Sequence, residues 1–211
     1  MPDAIIHINN TEIKTKSGNN LLWTALDNGF YIPNLCSVQT AKTPIASCRL
    51  CFVEIKGMKS PVTSCTQNVS DGMEVQLDTE RVKRIRHTAL ELLLSHHHLD
   101  CANCIKNKNC ELQNIAIKLK IPLKVKKFKQ IVRELPIDSS HPSFYYDPNK
   151  CILCGKCIQA CYEKGEGSLN FSKRGIDTVV STFFNDPLGS ILCNNCLECV
   201  KVCPVASLVA K

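Results

Sequence analysis

Residues 151 to 161 read Cys151-Ile-Leu-Cys154-Gly-Lys-Cys157-Ile-Gln-Ala-Cys161, a run of four cysteines separated by two, two and three residues. Three thiolates at two-residue spacing can bind one face of a [4Fe–4S] cube. The fourth, on a following helical turn, points away from that cube and binds a neighbouring cluster. The run therefore predicts a pair of cubane clusters.

A second run, Cys193-Asn-Asn-Cys196-Leu-Glu-Cys199-Val-Lys-Val-Cys203-Pro204, repeats this spacing. Two such runs predict two clusters with crossed fourth ligands. The expected sets are Cys151, Cys154, Cys157 and Cys203 for one cluster, and Cys193, Cys196, Cys199 and Cys161 for the other. The pair of runs resembles the two-[4Fe–4S] bacterial ferredoxin domain, which we place at residues 143–211.

The number and spacing of the cysteines limit the kinds of protein that this chain can be. Fifteen cysteines in 211 residues is an odd count, and their tight spacings argue against a disulfide framework. Metal coordination can replace part of the stabilisation that a small apolar core cannot supply, so we expect several small modules. The N-terminus lacks the basic and apolar regions of an export signal, and no run approaches the ~18 apolar residues of a membrane span. These features predict a protein of the reducing cytoplasm.

The formal charge of +7 counts the cysteines as neutral. The cysteine patterns described below predict one [2Fe–2S] and three [4Fe–4S] clusters. If all fifteen cysteines bind these clusters as thiolates, the thiolates and the oxidised clusters together would cancel the formal charge. The basic residues are therefore better interpreted as compensation for clusters than as a nucleic-acid-binding signal.

Residues 1–78 have the pattern of a small mixed module. A helix is predicted over residues 21–26, with Asn19 or Asn20 as its N-cap and an end near Asn28-Gly29. Strands are predicted at residues 4–9, 12–16, 51–56, 61–65 and 73–77. This order suggests a β-grasp.

Four cysteines of this module, Cys36, Cys48, Cys51 and Cys65, follow the pattern C-x₁₁-C-x₂-C-x₁₃-C. Plant-type [2Fe–2S] ferredoxins have a shorter first loop, C-x₄-C. The sequence around these cysteines resembles the N-terminal [2Fe–2S] domain of the large iron–sulfur subunit of respiratory complex I. It also resembles [FeFe]-hydrogenases and the small diaphorase subunit of NAD-reducing hydrogenases, and the resemblance implies a [2Fe–2S] cluster. A structural zinc site is the alternative, although zinc sites favour two close pairs and only one pair here is close.

The next segment predicts a helix that begins at Thr79. Its expected apolar face comprises Val82, Ile85, Ala89, Leu92 and Leu93. Its basic residues are expected to be solvated or to face a partner; they are Arg81, Lys83, Arg84 and Arg86.

This helix leads into His96-His97-His98 and three cysteines, Cys101, Cys104 and Cys110. Three cysteines without a fourth nearby leave room for a nitrogen ligand. The stretch resembles the His-Cys₃ [4Fe–4S] module of complex I and [FeFe]-hydrogenases, which implies His97, rather than His96 or His98, as the fourth ligand. We assign this helical module to residues 79–122.

A basic linker is predicted over residues 123–142, after a short helix that ends before Pro122. Between residues 118 and 133 there is no acidic residue, and the basic ones are Lys118, Lys120, Lys124, Lys126, Lys127, Lys129 and Arg133. A solvated linker and a docking strip for an acidic partner both fit this composition.

Taken over nearly its whole length, the chain is similar to diaphorase-type iron–sulfur electron-transfer subunits. The predicted fold class is α+β in several modules. Fifteen cysteines and His97 complete one [2Fe–2S] and three [4Fe–4S] ligand sets, so no cysteine remains for a hydrogen-activating site. No G-x-G-x-x-G or phosphate loop offers a dinucleotide or flavin site.

The expected function is electron transfer between redox sites on other subunits, with no catalytic residue in this chain. The resemblance implies a flavoprotein partner that binds FMN and NAD(H) or NADP(H), and a thioredoxin-like [2Fe–2S] subunit. It further implies a catalytic partner such as a hydrogenase or formate dehydrogenase, or a bifurcating module that uses ferredoxin. A free-standing polyferredoxin and a multi-zinc module are the alternatives, and the terminal enzyme and the direction of flow stay open.

Overall fold

A computed structural model describes residues 2–124, 126–131 and 133–211. Met1, Val125 and Val132, which fall in the predicted N-terminal module and basic linker, lie outside the described residues. The contacts group the chain into two compact units, one up to Leu90 and one from Glu91. The fold is α+β, as predicted.

The first unit is built on a five-stranded sheet whose strands lie close to the predicted positions. They are β1 (Asp3–Ile8), β2 (Thr11–Lys16), β3 (Phe52–Ile55), β4 (Val62–Thr63) and β5 (Glu74–Gln76). Their order is β2-β1-β5-β3-β4, in which β1 and β5 run parallel and the other neighbours antiparallel. Asn9 and Asn10 both have positive φ angles, 48° and 67°, which suits the two-residue turn of a twisted hairpin.

Helix α1 (Leu21–Asp27) belongs to the same hydrophobic core as this sheet. Asn20 is its N-cap, since the Asn20 side chain accepts hydrogen bonds from the Leu22 and Trp23 amides. Leu21 and Leu22 are fully buried with the alternating residues of β1, among them Ile6. Of the two predicted caps, the structure therefore selects Asn20.

Helix α2 (Glu80–His96) corrects two expectations. Leu92, predicted on the apolar face, is 46% exposed, whereas Val82 and Leu90 are fully buried. Arg86, predicted to be solvated or to face a partner, lies between them in the buried row and is only 4% exposed. Its Nε and Nη2 donate to the Phe52 carbonyl at 3.0 and 2.6 Å, and these bonds offset part of the cost of burying a guanidinium.

The second unit contains small elements between long connections. Its helices are α3 (Glu111–Lys118), α4 (Lys156–Lys164) and α5 (Glu198–Lys201), and its strands are β6 (Phe144–Tyr146), β7 (Asn170–Ser172), β8 (Val179–Ser181) and β9 (Leu208–Ala210). Strand β6 pairs antiparallel with β9, and β7 with β8. Each cysteine run extends into a helix, since Cys157 and Cys161 lie in α4 and Cys199 lies in α5.

The basic stretch is anchored at several points rather than fully solvated. Arg133 donates to the carbonyls of Thr178 and Pro148 at 2.7 and 3.0 Å, and Lys127 lies 4.0 Å from a Glu91 carboxylate oxygen. The lysine side chains between residues 118 and 129 nevertheless are exposed. Among the described helices, none is both long enough and apolar enough to cross a membrane.

Candidate iron–sulfur centres

The cysteines of the first unit come from two segments. Cys36, Cys48 and Cys51 lie on the connection between α1 and β3, and Cys65 lies in a single 3₁₀ turn directly after β4. All four are buried. The Asn20 side chain, which caps α1, donates to the Cys65 carbonyl at 2.7 Å and so joins this turn to the helix.

Backbone amides are directed at these sulfurs. The Leu35 amide donates to Cys48 Sγ at 3.5 Å, and the Cys48 amide donates to Cys36 Sγ at 3.4 Å. Such bonds stabilise ionised sulfur, so the loop is arranged for thiolates. Ser37 adds a buried hydroxyl beside Cys65.

The four thiols influence one another strongly. A hydrogen bond with the Cys36 thiol lowers the pKa of Cys48 to about 6, and the same contact raises the pKa of Cys36. A corresponding contact with Cys65 raises the pKa of Cys51. Cysteine binds metal as the thiolate, so metal binding at this group must release protons.

Arg86 is a functional candidate that the sequence reasoning missed. Burial lowers the pKa of its guanidinium, and the neighbouring Asp78, Cys51 and Tyr31 counteract this. A buried cation beside Cys51 stabilises negative charge at the cysteine group. The signal that could have identified it is its position four residues from both Val82 and Leu90 in one helical row.

His97 lines one cavity with Cys101, Cys104 and Cys110. Its Nδ1 lies 2.9 Å from the Lys150 carbonyl, an acceptor, which places the proton on Nδ1 and leaves Nε2 bare for a metal. Burial lowers the pKa of His97 to about 4, so that the imidazole is neutral at pH 7. His98 lines the same cavity but is exposed.

The first three cysteines of the first run lie inside the protein together with Cys203 of the second run. Cys151, Cys154, Cys157 and Cys203 are all buried. Burial raises the pKa of Cys154 to about 12, and the nearby thiols of Cys151 and Cys203 add to the shift. The structure thus brings Cys203, which belongs to the second run, to the cysteines of the first.

Cys161 belongs to the first run but lies with the cysteines of the second. This residue lines a cavity with Cys193, Cys196 and Cys199. Burial raises the pKa of Cys199 to about 12, and the Cys161 thiol makes the largest contribution after burial. Cys193 is exposed, so this group lies nearer to solvent than the group around Cys151.

The two runs share a backbone conformation that directs amides toward sulfur. Leu153 and Gly155 have φ angles of 53° and 77°, and the equivalent Asn195 and Leu197 have 56° and 58°. This left-handed conformation is costly for residues other than glycine. It turns the Leu153 amide toward Cys151 Sγ and the Asn195 amide toward Cys193 Sγ, at 3.4 Å in each case.

The donor set fits iron–sulfur clusters. Soft thiolate ligands favour iron–sulfur clusters, zinc or Cu(I), and the amides and buried hydroxyls near the sulfurs suit an anionic cluster. Among the residues that the structure describes, no three His, Cys, Asp or Glu side chains lie close enough to hold one metal ion.

Comparison with known families covers most of the chain. Residues 4–80 match the 2Fe-2S iron-sulfur cluster binding domain. Residues 86–122 match the NADH-ubiquinone oxidoreductase-G iron-sulfur binding region, and residues 143–165 match a 4Fe-4S binding domain.

Known proteins are similar over nearly the whole chain. The NADPH-Fe(3+) oxidoreductase subunit alpha of Geobacter sulfurreducens is 33% identical over 97% of this chain, which spans about a quarter of that relative (24%). The NAD-reducing hydrogenase HoxS subunit gamma of Cupriavidus necator is 26% identical, over 98% of this chain and 86% of its own length.

Among solved structures, a chain of the NAD⁺-reducing [NiFe]-hydrogenase in the H₂-reduced state superposes with a TM-score of 0.88. It is 31% identical, and the match covers 99% of this chain and 87% of that one. The resemblance predicted from the cysteine spacings is confirmed, and the chain belongs to the family of diaphorase-type iron–sulfur electron-transfer subunits.

Proposed function

We propose that this chain carries electrons, through one [2Fe–2S] and three [4Fe–4S] clusters, between an NAD(P)H-binding flavoprotein subunit and a second redox subunit. Cys36, Cys48, Cys51 and Cys65 would hold the [2Fe–2S] cluster. His97, Cys101, Cys104 and Cys110 would hold the first [4Fe–4S] cluster. The other two belong to the crossed sets around Cys151 and Cys193. The clusters supply the one-electron chemistry, and the protein holds and tunes them.

The observation that carries the proposal is the interleaving of two ligand groups in the second unit, those of Cys151 and Cys193. Cys203 and Cys161 cross between the two runs, and the Cys199 thiol contributes to the raised pKa of Cys157 in the other group. Clusters held by such interleaved groups would be neighbours, and neighbouring redox centres exchange electrons readily.

The His97 group adjoins the same assembly. The Nδ1–H of His97 donates to the carbonyl of Lys150, the residue just before Cys151. Lys106, between Cys104 and Cys110, donates to the Cys203 carbonyl. A cluster on His97 would therefore be connected by hydrogen bonds to the backbone that holds the neighbouring cluster.

The proposed partners follow from the family. Subunits of NAD- and NADP-reducing hydrogenases and a putative formate dehydrogenase are among the proteins similar to this chain. We therefore expect its partners to be an FMN-containing flavoprotein, a thioredoxin-like [2Fe–2S] subunit and a hydrogenase or formate dehydrogenase. A ferredoxin is a further candidate partner. We place the complex in the reducing cytoplasm because of the free cysteines.

We expect the purified chain to be brown, to contain about 14 irons and to oxidise no NADH by itself. The reason is that its ligand groups complete four clusters, whereas its sequence offers no dinucleotide loop. Iron and acid-labile sulfide analysis, with the visible spectrum, would test this. Zinc in place of iron, or robust NADH oxidation without partners, would contradict it.

Purification of the native complex through a tag on this chain would test its role as a subunit. We expect a flavoprotein with bound FMN to co-purify, and NADH or NADPH to reduce the clusters of this chain in the complex, as followed by EPR. A stable monomer that shuttles electrons between separately purified enzymes would instead favour a free polyferredoxin.

Exposed lysines of the basic stretch provide a test of docking. We expect the double change Lys126→Glu and Lys129→Glu to lower the rate of electron exchange with an acidic partner several-fold at low ionic strength. Salt should remove the difference, because exposed charges are screened. Lys127 is unsuitable for this test because it faces Glu91.

Stopped-flow reduction across a salt series would measure the effect, with Lys14→Glu on β2, another exposed lysine, as the control. Equal rates for the double variant and the control at every salt concentration would assign the stretch to a solvated linker.

A further inference from the structure

Tyr146 occupies an unusually well fixed position beside one of the cysteine groups. It is the last residue of β6 and is only 8% exposed. Its amide donates to the Asp138 carbonyl at 2.8 Å, and the Asp138 amide donates to the Tyr146 carbonyl at 2.9 Å. On its other side it is in register with Leu208 of β9. These contacts fix the backbone from which the Tyr146 side chain extends.

The hydroxyl of Tyr146 is a buried polar group without an ordinary partner. Among the residues that the structure describes, no group forms a hydrogen bond of normal geometry with its oxygen. An unpaired buried hydroxyl costs roughly 1–3 kcal/mol. Burial raises the pKa of this hydroxyl, and the adjoining Cys151 thiol is the next largest cause of the increase. The Val180 amide lies near the hydroxyl oxygen and acts in the opposite direction.

Other donors near Cys151 are already accounted for. The Ser207 hydroxyl is close to this thiol, but it donates to the Asp147 carbonyl at 2.8 Å. The Leu153 amide donates to Cys151 Sγ at 3.4 Å. Of the described side chains near this sulfur, Tyr146 is thus the one whose hydroxyl proton has no other acceptor. A protonated thiol is a weak acceptor, whereas a thiolate on iron is a good one.

We propose that the Tyr146 hydroxyl donates a hydrogen bond to the Cys151 sulfur once the cluster is bound, and that it thereby raises the reduction potential of that cluster. The proposal rests on the proposed function, since it takes Cys151 as a cluster ligand. Tyr146 acts as a positioning and tuning residue, because it touches the ligand rather than a substrate.

The direction of the expected change in reduction potential follows from the charge of the cluster. One electron converts the oxidised [4Fe–4S]²⁺ core to [4Fe–4S]⁺, and the tyrosine keeps its proton while no covalent bond breaks. The reduced cluster carries one more negative charge, so a donor to its sulfur stabilises the reduced form more than the oxidised form. Removal of the hydroxyl should therefore make reduction less favourable.

The test is an EPR-monitored titration with dithionite of the full chain, reconstituted with iron and sulfide, as unaltered protein and as Tyr146→Phe. We expect the equilibrium constant for reduction of one [4Fe–4S] cluster to fall roughly threefold to tenfold in Tyr146→Phe, where tenfold corresponds to 59 mV for one electron. The other clusters should keep their potentials.

Tyr145→Phe is the matched control, because successive side chains of a strand point to opposite faces. It should leave all potentials unchanged. Full iron content with no shift in Tyr146→Phe, or equal shifts in both variants, would overturn the tuning role. An unaltered chain that takes up no iron would instead overturn the proposed function itself.

Discussion

Cys203→Ala is expected to remove the cluster held by Cys151, Cys154 and Cys157, although Cys203 belongs to the other run. The reason is that the structure places the Cys203 thiol with the first group, so the variant leaves that group one ligand short. Iron content should fall by about 4 of about 14 atoms, and electron transfer through the reconstituted complex should fall close to zero. Iron analysis and EPR of the reduced protein would measure both losses.

Cys161→Ala is the paired variant and should remove the other cluster with the same loss of iron. The surviving cluster distinguishes the two. After Cys203→Ala the survivor lies at the exposed Cys193 and should be bleached quickly by a chelator, whereas after Cys161→Ala the survivor lies among buried cysteines and should resist. The opposite order of bleaching would show that the fourth ligands are not crossed.

His97→Ala should abolish the cluster of Cys101, Cys104 and Cys110. His97 is the buried histidine of this cavity, and its Nδ1–H bond to the Lys150 carbonyl leaves Nε2 as the metal-binding atom. Iron content should again fall by about 4 atoms per chain. His98→Ala is the matched control, because His98 lines the same cavity but is exposed, and its iron content should be unchanged.

His97→Cys separates a ligand role from a packing role. Cysteine replaces a neutral imidazole with a thiolate, so a cluster that survives carries one more negative charge. Its potential should fall by roughly 100 mV or more, as the difference between histidine- and cysteine-ligated centres suggests. A redox titration followed by EPR would measure the shift. Full iron and an unchanged spectrum in His97→Ala would contradict the ligand assignment.

Features that depend on residues close together in the chain could be predicted from the sequence. Helix α1 and its asparagine cap, the hairpin of β1 and β2 and the helix that leads to His97 depend on hydrogen bonds and side-chain periodicity within a few residues. The cysteine spacings are equally local, because two intervening residues suffice to bring two sulfurs to one cluster. The family resemblance rests on these spacings and is confirmed.

Arg86 shows where local reasoning fails. A charged residue on an amphipathic helix is ordinarily solvated, and the spacing of Arg86 from Val82 and Leu90 is a local sign too weak to overrule that expectation. Its burial depends on the Phe52 carbonyl, an acceptor 34 positions earlier in the chain. The prediction that Leu92 lies on the buried face was wrong for the same reason, since the face that a helix buries depends on what packs against it.

The sequence by itself determined the family, and it predicted which residues bind iron and how many sites they would complete. Only the tertiary structure decided that Nδ1 of His97 faces the Lys150 carbonyl, that Cys193 is exposed while Cys151 is buried, and that the Tyr146 hydroxyl lies beside a thiol. Residue type and spacing specify the available chemistry, because ligands act through their own atoms. Hydrogen bonding, solvent exposure and nearby charge tune that chemistry, and they depend on which distant segments the packed chain brings together.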